Sequence, residues 1–67
     1  MVLESSVKSL LVNELNSAIY DDDYEAAIDV VYATLIKGDI LFAKFLASLF
    51  NYQIIKSEDD EDLVIPA

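Results

Sequence analysis

The sequence predicts a mainly α fold: a compact three-helix domain with a C-terminal segment built like a small β-hairpin. Apolar residues recur at three- and four-residue steps through three consecutive stretches. Two breaks, Asp21-Asp22-Asp23 and Gly38-Asp39, separate those stretches with residues that stop or cap helices. The end of the chain sets two β-branched apolar runs on either side of a polar one. At 67 residues there is room for one domain. Residues 1–56 form its helical part, and residues 57–67 an acidic loop or tail with a short apolar end.

Helix 1 is expected from about Ser6 to Ile19, with Ser5 or Ser6 as N-cap. Val7, Leu10, Leu11, Glu14, Leu15, Ala18 and Ile19 carry its period. Helix 2 is expected over 23–37. Asp22 followed by Glu25 has capping-box spacing, and acids there suit the positive end of the helix dipole. Ala27, Ile28, Val31 and Leu35 form its apolar side, and Gly38 takes the position just past its end. Asp39 caps helix 3, over 40–52. Its apolar residues leave only a narrow polar stripe of Lys44, Ser48 and Asn51, so it must be covered on most sides. Phe42, Phe45, Leu46, Leu49 and Phe50 are read as core, part of it shared across an oligomer interface. Gln53-Ile54-Ile55-Lys56 and Leu63-Val64-Ile65 are the candidate strands. The competing reading of 57–67 is a disordered acidic tail, the usual fate of five like charges in a row.

The charge is a pattern rather than a background. The net value is −9, from 13 acids and 4 lysines. Residues 21–29 carry −5 in Asp21, Asp22, Asp23, Glu25 and Asp29. Residues 58–62 carry another −5 in Glu58, Asp59, Asp60, Glu61 and Asp62, whereas 30–57 carry +2. Such edges repel phosphate backbones and anionic lipid and attract cationic protein surfaces. Two of the acids have local uses as well: Asp22 and Glu25 can serve as caps. The 58–62 run can be a phosphate mimic at a loop tip, or a solubilising gatekeeper beside apolar strands. Tyr20, Tyr24, Tyr32 and Tyr52 are read as core rim, with interface anchoring as the alternative.

Several function classes are set aside. With no histidine and no cysteine, the chain lacks the usual bases, nucleophiles and zinc ligands, and catalysis is not expected. The acids at 21–29 fail the calcium-loop pattern, since Ala26 and Tyr32 stand where glycine and glutamate are required. One glycine cannot make a phosphate-cradling loop. No cofactor is expected. Helix, helix, turn, helix and hairpin resemble a winged helix-turn-helix in outline, but helix 3 presents leucine and phenylalanine where a recognition helix needs polar and basic groups. Direct nucleic-acid binding is therefore not expected. The start of the chain, Met1 to Ser6, is acidic where a leader would be basic. No apolar run approaches the roughly 18–20 residues that span a bilayer. A cytoplasmic location is expected.

The expected function is a small acidic protein–protein interaction module, in its sharpest form a DNA-mimic inhibitor occupying the basic surface of a host protein. Its candidate contact residues are Asp21, Asp23, Glu25, Asp29 and Glu58 to Asp62. A homo-oligomer is expected, because a chain this short is marginal alone and has no disulfide or zinc site to help it. The alternative is a homo-oligomeric assembly or adaptor subunit whose acids only keep it soluble.

Overall fold

A computed structural model of the chain describes residues 3–67. Met1 and Val2, the first two residues of the 1–6 segment read as an acidic start, lie outside the described residues; its acid, Glu4, is within them. Three helices, α1 (Ser5–Tyr20), α2 (Tyr24–Ile36) and α3 (Ile40–Ser48), precede an antiparallel hairpin of β1 (Tyr52–Lys56) and β2 (Asp62–Pro66). The order is the expected one, and the C-terminal segment is the hairpin rather than a tail. No helix among the described residues is long and apolar enough to cross a membrane.

The core follows the helical period. Leu11, Leu15 and Ala18 of α1 meet Ala27, Val30, Val31 and Thr34 of α2 and Ala43, Leu46 and Ala47 of α3, with Phe50 and Val64 closing it. Val30 and Thr34 replace Ile28 and Leu35 on the deepest face of α2; the latter pair is only partly buried. Thr34 is tolerated at 0 % exposure because its hydroxyl donates to the Val30 carbonyl at 2.9 Å. Leu10 lies outside, 62 % exposed. α2 is the central element: it packs on α1 and α3, and touches β2, while α3 packs on β1. The Cα trace measures 32 × 27 × 14 Å. A helix with its side chains is about 10–12 Å across, so a slab this thin cannot cover both sides of every element.

Three boundaries differ from expectation. The N-cap of α1 is Glu4, whose side chain makes no capping bond, and Ser5 and Ser6 fall inside the first turn. The chain enters this helix from Leu3, whose N–H donates to Asp39 at 3.2 Å, which sets the first turn before the serines. The Asp22–Glu25 capping box is not formed. The N–H groups of Asp22 and Asp23 donate to the Ile19 and Ala18 carbonyls (3.1 and 2.8 Å), the two bonds of a Schellman closure. That closure needs a left-handed residue, and Asp22 supplies it at φ 55°. The cap of α2 therefore moves to Asp23, which accepts from the Ala26 N–H at 3.2 Å.

Helix α3 ends at Ser48, not Tyr52. Tight turns close it, from Leu49 N–H to Leu46 and Phe50 N–H to Ala47. Asn51 then reverses the chain at φ 63°, so this asparagine is a stop signal and not part of a polar stripe. Tyr52 begins β1. At the other end, Lys37 is the C-cap of α2 and Gly38 follows at φ 92°, a value that glycine adopts without steric cost.

Asp39 joins the start of α1 to the start of α3. It is the buried charged side chain among the described residues. Its carboxylate accepts from the Phe42 and Leu3 N–H groups at 3.1 and 3.2 Å, and the Lys8 ammonium lies 4.0 Å away. The Phe42 amide, then the Leu3 amide, with help from Lys8 and against partial desolvation, holds the carboxyl below its ordinary 3.8. Folding thus lowers this pKa, so its contribution to stability is full above 3.8 and is lost as pH falls below it. The expected result, read by urea unfolding at stepped pH, is a wild-type loss below 3.8 that an Asp39→Asn variant does not share.

Candidate functional site

The α1–α2 turn is short, so the two helices run back along one another as an αα-hairpin. Residues equally far from the turn then face each other. Glu14 and Asp29 come together in this way around an open depression of about 390 Å³, floored by Ala26, Val30 and Ala33. A second depression of about 400 Å³ shares Glu14 and Ala26 and adds Asp21, Asp23, Asn13, Ser17 and Ala18. The two form one trough whose walls carry Glu14, Asp21, Asp23 and Asp29 and no lysine. Small alanines on its floor keep it open.

The trough gathers three of the expected acidic residues, Asp21, Asp23 and Asp29. Glu25 is exposed on α2 but does not line it. Asp23 has a second duty as the α2 cap. Glu14 was read only as a member of the helical period, yet it is central to the trough. The mirror relation across the αα-hairpin, which places 14 opposite 29 and 30, was the signal that could have found it.

The other acidic run forms the hairpin tip. Ser57 closes it: its N–H donates to the Glu61 carbonyl at 2.8 Å, and its hydroxyl oxygen accepts from the Glu61 N–H at 3.2 Å. A turn from Ser57 to Asp60 is followed by Asp60 at φ 65°, the pattern of a three-residue hairpin loop. Glu58, Asp59, Asp60 and Glu61 are exposed. Asp62 belongs to β2, where it pairs with Lys56 at 3.2 Å across the ladder. The acidic runs are not brought together. Phe50 stacks on both Tyr24 and Tyr52, at 6.5 and 4.6 Å between centroids, which puts the hairpin base at the N-terminal end of α2. The tip lies ~13 Å further along β1, at about 3.3–3.4 Å per residue.

Among the described residues the two ion pairs use Lys8 and Lys56, and no lysine neutralises the trough or the carboxylates of residues 58–61. Nor does any group of three or more acids converge there closely enough to hold a metal ion.

The apolar set on α3 divides. Leu46 and Phe50 are core. Phe42 packs against the core, with the Lys8 ammonium 5.2 Å from its ring centroid. Phe45 and Leu49 remain 50 % and 45 % exposed, and Leu41 75 %, making a bare row at every fourth position. The tyrosines divide too. Tyr24 and Tyr52 stack on Phe50, and the Tyr32 hydroxyl accepts from the Val64 N–H at 3.0 Å. Tyr20 is not core rim: it closes α1 beside the turn and stays 89 % exposed.

Comparison of the chain with protein-family models, curated proteins and solved structures finds no match.

Proposed function

We propose that this chain is a protein–protein interaction module that presents carboxylates to a basic surface. In its sharpest form it is a DNA mimic that occupies a nucleic-acid-binding face. Asp and Glu oxygens of the trough and the hairpin tip would take the places of phosphate oxygens on lysines and arginines of the partner. The observation that carries the reading is the lack of internal counter-charge: both acidic surfaces are exposed and unpaired, while the ion pairs lie elsewhere. A chain without histidine or cysteine is better suited to such occupation than to catalysis.

The test is capture from a host lysate by the wild-type chain and two neutralised forms. One carries Glu14→Gln, Asp21→Asn and Asp29→Asn; the other carries Glu58→Gln, Asp59→Asn and Asp60→Asn. All six positions are outside the core, and asparagine retains the left-handed conformation at position 60. Each exposed charge pair contributes about 0.3–1 kcal/mol, so each triple is expected to weaken capture roughly 5- to 150-fold. Equal capture by all three forms would overturn the reading.

A second reading has its own observation. The bare row of Leu41, Phe45 and Leu49 suits a homo-oligomeric assembly subunit, with the acids serving solubility. In that case Phe45→Asp breaks the oligomer, and the neutralised forms behave as wild type.

A further inference from the structure

The cations of this chain are as unevenly placed as its acids. Three of the four lysines stand on or beside α3. Lys44 is exposed on the helix and Lys37 is exposed just before it. Lys8 approaches from α1, its ammonium 5.2 Å from the Phe42 ring centroid. The helix itself carries no acid, and Asp39 at its start is buried and held by two backbone amides. Two of these lysines flank the bare row. At about 100° per residue, Leu41, Phe45 and Leu49 cover about 80° of the outward face; Lys44 lies about 60° to one side of it, and Phe42, with Lys8 against it, about 20° to the other. Phe45 is held in place, its ring stacked on Phe42 at 5.8 Å between centroids. Beside it Lys8, Asp39, Leu41, Phe42 and Phe45 line an open depression of about 310 Å³.

We propose that this face docks an amphipathic helix of a protein partner, one whose apolar stripe is flanked by acids. Shape and charge together select that occupant. Apolar residues at every fourth position, spanning about 12 Å, suit the i, i+4 and i+7 anchors of a helix laid along the row. The depression takes one such anchor. Carboxylates on either side of the stripe then reach Lys44 on one flank and Lys8 on the other. The two acidic runs of the chain sit on other elements, and at a screening length of about 8 Å a helix on this face is met first by its lysines. Two rival occupants fit less well. Two copies joined by this face would set lysine against lysine and bring together two chains of −9. An anionic bilayer acts on the whole domain and repels that net charge, and a flat surface offers no anchor to the depression.

The proposal rests on α3 and its lysines, not on the trough or the hairpin tip, so it stands or falls separately from the capture above. The test uses the full chain and two labelled helical peptides of designed sequence, followed by fluorescence anisotropy and amide chemical shifts at about 0.15 M salt. Both peptides carry leucines at i, i+4, i+7 and i+11; one flanks them with glutamate, the other with glutamine. The glutamate peptide is expected to bind roughly 3- to 30-fold more tightly, with shifts gathered at Lys8 and along residues 41–49. Lys44→Glu should remove most of that preference and leave the glutamine peptide unaffected. Phe45→Ala should weaken both peptides by roughly tenfold or more. Both positions are exposed, and an unchanged thermal midpoint shows that the variants are folded. No binding of the glutamate peptide overturns the proposal, as does equal binding of the two peptides or indifference to Lys44→Glu. A chain that forms a dimer broken by Phe45→Asp gives the face to a second copy, and phosphatidylglycerol vesicles that retain the wild type but not Phe45→Ala give it to a membrane; either result overturns the proposal too.

Discussion

Leu46→Ala is expected to remove about 2–5 kcal/mol of folding stability, the largest effect of any single truncation considered. Leu46 has 0 % exposure and sits between Ala43 and Ala47, also fully buried, at the contact of α3 with α2. Small neighbours cannot swing in to fill the space a leucine leaves. A chain of this length has only about 3–10 kcal/mol in hand. Thermal unfolding followed by far-ultraviolet circular dichroism should show the midpoint falling on the order of 10–30 °C. Leu41→Ala, on the same helix but 75 % exposed, is expected to change it little. Equal shifts for the two would mean that α3 is packed differently.

Tyr32→Phe is expected to cost about 1–3 kcal/mol, because it keeps the ring and orphans the buried Val64 N–H. This hydroxyl ties the helical layer to the β2 edge across 32 positions of sequence. Hydrogen exchange should report the loss locally. The Val64 amide should speed up far more than the Leu15 amide, which lies in the helical core. A variant with unchanged Val64 protection would show that the hydroxyl does not hold the sheet.

Much of the fold was legible because helical period and capping residues are local signals. Asp39 before α3 and Gly38 after α2 stand where local chemistry puts them. Boundaries were misread where one residue had two possible duties. Asn51 continues the polar stripe of α3 and also favours the left-handed turn that ends it. Asp22 can cap α2 or close α1, and the Schellman bonds took it for the latter. The surplus of apolar surface on α3 was legible in its residues; which part stays bare, Leu41, Phe45 and Leu49, is set by packing in a 14 Å slab that offers no third layer.

The acidic runs could be seen by composition alone, but not their shape. Glu14 lies apart from both runs in sequence and enters the trough only because the αα-hairpin folds it onto Asp29. Asp62 reads as part of the second run, yet the ladder register assigns it to Lys56.

The claim that these carboxylates act by charge is tested most directly by the salt dependence of affinity for the captured partner. Calorimetric or fluorescence titration from about 0.1 M to about 1 M salt shortens the screening length from about 10 Å to about 3 Å. The expected result is an affinity that falls steadily on a log–log plot, with a shallower slope for the Glu14→Gln, Asp21→Asn, Asp29→Asn form. An affinity that holds through molar salt, with the same slope for both forms, would contradict it.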